Sequence, residues 1–314
     1  MKSFLITGSS GFIGSNLAHS LVNNKVELHL LVNKKSNLWR IKNILPDVIL
    51  HKINISKKSE INSLIKKIEP DCTFHLASYG VHPFQKNFVS MFNTNVIGSF
   101  NLFESLEKHC ESSKVVNIGS SFEYGPKQKS IKSSEILEPN TIYGVTKSSQ
   151  SILANYFSQK TNLSLNTLRI FGAYGKYESK GRLIPDILLS VIKRKKLFIS
   201  SPKSKRDFIH IDDVVSCILS ASKKKINGEI LNVGSGKEVS VEKIIEISRK
   251  ILNKDIPVNI NLKNQREFDK TGGGTGHANI SETKKILGWE PKISFNIGIQ
   301  ESYDWFKENI SFYD

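Results

Sequence analysis

Arginine is scarce in this chain, cysteine and methionine are scarcer, and long apolar runs are missing. Of the 45 basic residues among 314, only seven are Arg, at positions 40, 169, 182, 194, 206, 249 and 266. The rest are Lys, scattered among many Asn and Ile. A nucleic-acid surface shows clustered Arg interleaved with stacking aromatics, so the net charge of +16 reads as a solvated lysine-rich surface. The dense runs Lys193-Arg194-Lys195-Lys196 and Lys223-Lys224-Lys225 fit helix ends. No nucleic-acid partner is expected; an anionic small molecule remains compatible with the charge. Cys72, Cys110 and Cys217 are odd in number and form no C-x-x-C, which disfavours a disulfide scaffold or a thiolate zinc site, and no metal is expected. No window approaches the roughly 20 apolar residues of a membrane span. Gly8 arrives too early for the apolar region of a signal peptide. The expectation is a cytoplasmic protein that binds no membrane.

What is present is a strand–helix rhythm. Strands are expected at Phe4–Thr7, Leu28–Val32, Val48–Ile53, Cys72–Ala77, Val115–Ile118 and Leu165–Ile170. Helices are expected over Phe12–Leu21 and Ile61–Ile68 (closed by Pro70), from Met91, and from Tyr143. Such alternation demands a parallel sheet covered on both faces, with right-handed crossovers. The fold class is therefore α/β, a Rossmann-type doubly wound parallel sheet with a smaller C-terminal substrate-binding lobe. Residues 1–172 form the dinucleotide-binding domain, 173–314 mainly the lobe, and 207–235 are expected to rejoin the sheet. In the second part, helices are expected from Leu183, from Asp212, over Val241–Leu252, Glu282–Leu287 and Ile297–Phe306, with strands at Asp207–His210 and Ile230–Val233. Thr271-Gly272-Gly273-Gly274-Thr275-Gly276 reads as a mobile loop.

Gly8-x-x-Gly11-x-x-Gly14 lies between the first strand and the first helix. Glycines there permit a tight turn, let backbone N–H groups approach a pyrophosphate, and allow close helix–strand packing. The helix N-terminus adds partial positive charge for the anion. At the end of the second strand, NAD sites carry Asp or Glu for the ribose 2′-OH, whereas NADP sites carry a basic residue. Here the residues are Asn33, Lys34, Lys35 and Ser36, with Arg40 beyond. This favours NADP(H), with NAD(H) the alternative, since a lysine-rich chain places Lys at many positions without selection for a phosphate.

Tyr143 and Lys147, at i and i+4, share a helical face. An ammonium beside the phenol favours phenolate and makes Tyr an acid/base near neutrality. Tyr156–Lys160 and Tyr303–Lys307 have the same spacing. Tyr143 is singled out by opening a helix after Pro139-Asn140 and by following a strand that ends in Gly119-Ser120-Ser121. Tyr156 is expected to turn away into the core.

With these motifs, Arg206-Asp207-Phe208-Ile209-His210-Ile211-Asp212-Asp213-Val214, Leu231-Asn232-Val233-Gly234 and the tail Ile280-Ser281 to Ile286-Leu287-Gly288-Trp289-x-Pro291, the chain resembles the extended short-chain dehydrogenase/reductases. Within these it is similar to the sugar-nucleotide epimerase/dehydratase/reductase branch, from Ser3 to about Trp305. The resemblance implies Tyr143 as acid/base, Lys147 as the holder of the nicotinamide ribose, and Ser120 as the group on the reacting sugar oxygen. It implies cofactor contacts from Gly8, Gly11, Phe12, Ile13, Gly14, Asn33, Lys34, Ser36, Arg40, Asn54, Ile55, Leu76, Ala77, Ser78 and Phe171. Substrate contacts would come from Ser120, Ser121, His82, Arg182, Arg206 and Arg266, the last two clamping a nucleotide diphosphate. His82 is equally compatible with a plain loop role. His75 reads as a satisfied interior histidine and Asn95 as a helix-ordering residue.

Two positions depart from the family pattern. The 4,6-dehydratases carry Asp-Glu after the catalytic Thr, where this chain has Ser121 and Phe122, which cannot transfer those protons. Many epimerases carry Asn where this chain has Gly172. The leading expectation is NADPH-dependent reduction of the 4-keto group of a nucleotide-linked 4-keto-6-deoxy sugar. The alternatives are a 4-epimerase with tightly bound NAD and a non-catalytic dinucleotide sensor. The resemblance also implies a homodimer built on two helices.

Overall fold

A computed structural model describes residues 1–82, 84–127, 129–261 and 276–314. Its larger sheet takes β1 (Lys2–Thr7), β2 (Val26–Val32), β3 (Ile49–Lys52), β4 (Cys72–His75), β5 (Lys114–Ser120), β7 (Ser164–Ile170) and β11 (Ile230–Val233) in the order β11-β7-β5-β4-β1-β2-β3. The pairings from β7 to β3 are all parallel. Leu5, Ile6, Leu30, Leu31, Phe74, Val115, Val116, Leu165 and Leu168 are all buried. Consecutive apolar residues of this kind mark strands covered on both faces. The order reverses between β1 and β4, where open α/β sheets place their ligand crevice, beyond the carboxyl ends of the strands.

Helix α1 (Phe12–Leu21) joins β1 to β2, and α2 (Lys58–Ile68) joins β3 to β4. Helix α3 (Phe88–Phe92) runs through a π turn at Asn93–Ile97 into α4 (Gly98–His109), and α5 (Ile142–Lys160) joins β5 to β7. Ile61 and Ile65 of α2, Phe103 and Leu106 of α4 and Phe157 of α5 share one buried cluster with Leu5, Val115 and Leu165 of the sheet. That burial fixes the helices, and with them the loops at the strand ends. Helix α2 stops as expected before Pro70, with Glu69 in a left-handed conformation at φ 40°.

The chain divides into two compact units: residues 1–125, 136–170 and 215–231 form the first, and 126–135, 171–214 and 232–314 the second. In the second, β8 (Gly172–Tyr174), β10 (Lys205–His210) and β12 (Glu238–Ser240) make one sheet in the order β12-β10-β8. Two small pairs accompany it, β9 (Leu197–Ile199) with β13 (Val258–Ile260), and β6 (Ser130–Ile131) with β14 (His277–Ala278). Its helices are α6 (Leu183–Ile192), the start of α7 (Ile211–Lys223), α8 (Val241–Leu252), α9 (Ser281–Leu287) and α10 (Phe295–Glu308).

Two expectations are corrected here. Of residues 207–235, 215–231 belong to the first unit, whereas 207–214 do not, because β10 bonds to β8 and β12. Tyr156 is not a core residue: it is 56% exposed on α5, beside Ile152 at 62%. Thirteen residues of helix rotate it by about 220° from Tyr143, and that direction leads to the outer face. The glycine stretch 271–275 and Arg266 lie outside the described residues.

Candidate active site

The turn after β1 is built by its glycines. Gly8 has φ +70°, and a Cβ on it would stand 2.6 Å from Ala77 N; one on Gly14 would stand 2.4 Å from Gly8 O. Neither position admits a side chain. A Cβ on Gly11 would meet only Gly8 O, at 3.1 Å, so this side of the turn is open. Gly11 is also the N-cap of α1 and brings no side-chain cap to the helix N–H groups. Across the turn, Ser78 Oγ is buried and without a hydrogen-bond partner. An open glycine edge, an uncapped helix start and an orphaned hydroxyl fit the pyrophosphate and ribose of a dinucleotide.

The β1 and β4 ends are locked by His75, which is fully buried. Ser99 Oγ donates to Asn95 O at 2.6 Å and so accepts from His75 Nε2 at 2.8 Å. His75 Nδ1 then accepts from Thr7 Oγ1 at 2.7 Å, and Thr7 Oγ1 accepts from Ala77 N at 3.1 Å. Burial pushes the imidazole down to about 3, and both ring nitrogens are satisfied in the neutral form.

At the end of β2 the structure adds a group the sequence reading lacked. Lys34 Nζ stands 3.3 Å from Glu60 Oε1 in the first turn of α2. Glu60 Oε2 accepts from Asn54 N at 2.9 Å, and that bond, with Lys34, holds its carboxyl below the usual carboxylate range. The Arg40 guanidinium lies 4.5 Å over the Trp39 ring, with Nη1 3.4 Å from Ser10 O of the glycine turn. Asn33 Oδ1 accepts from Lys35 N, Ser36 N donates to Asn33 O, and Ile55 is buried.

Ser120 ends β5 and opens a short 3-10 turn over Ser121–Glu123. Its Oγ accepts from Phe122 N at 3.3 Å, and its N–H donates to Glu123 Oε1 at 2.7 Å. Glu123 is fully buried and pairs with Arg169 Nε at 2.7 Å; Arg169 Nη1 donates to Tyr124 OH at 2.9 Å. Helix α5 starts at the Thr141 cap, whose Oγ1 accepts from Gly144 N. A Cβ on Gly144 would lie 2.5 Å from Phe122 O, so glycine lets the start of the helix rest on the turn after Ser120. Tyr143 is thereby set edge to face against Phe122. One turn later Lys147 is 3% exposed, and burial pushes its ammonium down to about 8, opposed by the charge of Glu123. Asn95 does more than order its helix: it accepts from Tyr79 N and donates to Tyr79 O and Thr146 Oγ1, tying the loop after β4 to α5.

The first unit thus holds Ser120, Ser121, Tyr143, Lys147, the glycine turn, residues 33–40, 54–55 and 76–78, and His82, whose ring stacks on Phe84 at 5.1 Å. Phe171, Arg182 and Arg206 belong to the second. Phe171 is buried and its N–H donates to Val233 O at 2.9 Å. A Cβ on Gly172 would sit 2.6 Å from Asp207 O, which accounts for glycine where Asn is common: β8 and β10 approach too closely there. Arg206 Nη1 donates to Ser204 Oγ and Lys205 O, and Arg182 Nε stands 3.6 Å from Glu178. The acids of the 206–214 motif organise loops. Asp207 accepts from Ser235 N, Gly236 N and Ala278 N, and Asp213 from Lys292 N and Ile293 N.

Sequence reasoning missed Glu60, Glu123, Arg169 and Gln150. Glu123 had a signal, since Ser120-x-x-Glu123 is the spacing of a capping box, and both of its bonds are present. Glu60 had none, because its approach to Lys34 depends on how β3 and α2 fold back.

Comparison with known proteins gives the family and the fold. The family model described as "NAD dependent epimerase/dehydratase family" matches residues 4–234. A UDP-glucuronate 4-epimerase of Thermodesulfobacterium geofontis is 26% identical over 324 residues, covering 99% of this chain and 98% of its own. Among solved structures, a UDP-glucuronic acid 4-epimerase of Bacillus cereus, in complex with UDP-glucuronic acid and NAD, superimposes with TM-score 0.86 at 25% identity, covering 98% of this chain and 99% of its own. A dTDP-glucose 4,6-dehydratase of Bacillus anthracis in complex with NAD gives TM-score 0.86 at 25% identity, covering 99% and 98%.

Proposed function

The chain belongs to the NAD dependent epimerase/dehydratase family, and from that premise we propose that it acts at C4 of a nucleotide-linked sugar, as a 4-epimerase. The observation that supports this reading is the seating of α5 in the first unit: the helix that carries Tyr143 and Lys147 starts on the turn that Ser120 caps, and Lys147 is buried against β5. A nicotinamide dinucleotide, when bound, supplies the site that takes a hydride from the sugar carbon and gives it back. Tyr143 removes the C4 hydroxyl proton as hydride leaves and returns it as hydride comes back. Lys147 favours the phenolate of Tyr143 by its charge and holds the ribose. Ser120 Oγ polarises the sugar oxygen. A relative of similar length described as a UDP-glucuronate 4-epimerase supports this reading. Elimination of water is disfavoured by Ser121 and Phe122, which supply neither acid nor base.

A second reading, reduction of a 4-keto-6-deoxy sugar by NADPH, is favoured by Asn33, Lys34 and Arg40 at the end of β2. It is weakened by Glu60, which already pairs with Lys34. Arg206 of the second unit is read as one arm of the clamp on the nucleotide diphosphate, with Arg266 the other, and Arg182 as a further substrate contact. A homodimer is part of the reading, supported by the exposed apolar residues Phe88, Val89, Phe92 and Ile97 on α3 and its π turn and by Ile152 and Tyr156 on α5. The test is incubation of the purified protein with a panel of nucleotide sugars and each cofactor, followed by product identification. Interconversion of two 4-epimers without net cofactor use supports the epimerase. Stoichiometric NADPH consumption, only with a 4-keto sugar, replaces it by the reductase.

A further inference from the structure

Behind Lys147 lies a buried polar chain that the family motif does not include. Lys147 Nζ donates to Ile118 O of β5 and, at 2.5 Å, to Gln150 Oε1 one turn along α5. Gln150 Nε2 donates to Asn117 Oδ1 at 2.5 Å, and Asn117 Nδ2 donates to Thr167 Oγ1 at 3.1 Å. Asn117 and Thr167 are register partners on β5 and β7, and Gln150, Asn117 and Thr167 are all at least nine-tenths buried.

The direction of this chain is dictated by its head. An ammonium only donates, so Gln150 must present its carbonyl oxygen to Lys147 and its amide N–H to Asn117. Asn117 is then oriented in turn, and Thr167 accepts at the end. Of the three Lys147 protons, two are committed to Ile118 O and Gln150 Oε1. One remains to point elsewhere, and tetrahedral geometry fixes its direction. We propose that Gln150 is a positioning residue, which through the Gln150–Asn117–Thr167 chain fixes where the Lys147 ammonium sits and keeps it charged in a water-free place.

The inference rests on the role given to Lys147 above. The charged or titratable groups that act on that ammonium are Glu123 on the turn after β5 and His75 on β4, with Tyr143 one turn earlier on its own helix. Burial drives Lys147 toward its neutral form, and a neutral acceptor at 2.5 Å opposes that drive. Replacing Gln150 therefore has a sign that depends on what replaces it. Met keeps the length and removes the acceptor, so Lys147 should lose its proton at lower pH. Glu keeps the shape and adds charge, so Lys147 should hold its proton to higher pH. Asn117 can follow by turning its amide, since Thr167 Oγ1 is able to donate as well as accept.

The test is the pH dependence of NAD binding to the full chain, read by titration from pH 6 to 10, which needs no sugar substrate. For Gln150→Met the alkaline midpoint should fall by about one pH unit, a tenfold change in proton affinity; for Gln150→Glu it should rise. A merely structural residue would move both variants the same way or neither. Equal shifts, or none, would overturn the proposal while leaving the 4-epimerase reading intact. If Gln150→Met does not fold, the Gln150→Glu arm decides alone, and a midpoint at or below that of the parent overturns it. NAD binding with the predicted opposite shifts, but no action on any nucleotide sugar, would sustain the positioning role and remove the functional reading. Absence of binding to NAD and to NADPH at every pH would overturn both.

Discussion

Phe122 and Tyr143 meet edge to face, with ring centroids 5.7 Å apart and planes at 78°. By the resemblance, Phe122 stands where the 4,6-dehydratases carry a carboxylate, and the ring proposed as acid/base rests against it. Tyr143→Phe should lower turnover by about two to four orders of magnitude, as expected for loss of a proton-transfer group. NAD binding should survive. Tyr156→Phe, on an exposed outer face, and Tyr303→Phe should change turnover less than threefold by steady-state assay, an estimate of the order expected for groups outside the reacting centre.

If Lys34 faces the adenosine ribose as proposed, its pairing with Glu60 sets the cofactor preference. Releasing Lys34 by Glu60→Gln should raise the affinity for NADPH relative to NADH, because a free ammonium can then meet the 2′-phosphate. Lys34→Asp should move the ratio toward NADH. Fluorescence titrations with both cofactors check this; an unchanged ratio in both variants would show that this pair lies outside the adenosine pocket.

The ion pair of Glu123 with Arg169 is buried on both sides, at 0% and 3% side-chain exposure. Glu123→Ala should destabilise the fold by about 3–5 kcal/mol, since it leaves a buried guanidinium without its partner. The double change Glu123→Met with Arg169→Met should cost less than Glu123→Ala. Urea unfolding monitored by circular dichroism measures both.

His75 sets an acid limit. Its folded-state pKa is depressed to about 3 from an ordinary 6.5, so between these values the unfolded chain binds a proton that the native state refuses. The stability it supports is therefore full above pH 6.5 and is lost as pH falls toward 3, with a slope of about 1.4 kcal/mol per pH unit from this one group. Denaturation at pH 7.5, 5.5 and 4.5 should show this loss, and His75→Gln should flatten the slope.

Much of this was legible in the sequence because its signals were local. The helix expected over Phe12–Leu21 is α1 residue for residue, and Ile230–Val233 is β11. Both are strongly patterned segments bounded by glycines or turns. The glycine turn and the Tyr143–Lys147 spacing were likewise visible, since each lies within a few residues. Short pairings such as β6 with β14 were not, because they join segments roughly 150 residues apart with two residues each. Buried polar partners were hidden for the same reason. Gln150 looks like an ordinary helix residue until α5 is laid on β5, and Glu60 like a surface acid until α2 folds back to the end of β2. The exposure of Tyr156 was misjudged because helical rotation gives a direction but not what covers it.

The most direct test follows the hydrogen at C4. A nucleotide sugar carrying deuterium at C4 is given to the purified protein with NAD, and product and cofactor are examined by mass spectrometry and NMR. Deuterium should leave C4 for the cofactor and return to C4 on the opposite face without exchange with water, and Tyr143→Phe should slow the transfer by about two to four orders of magnitude. Epimerisation with deuterium lost to solvent, or transfer that persists undiminished in Tyr143→Phe, would contradict this mechanism.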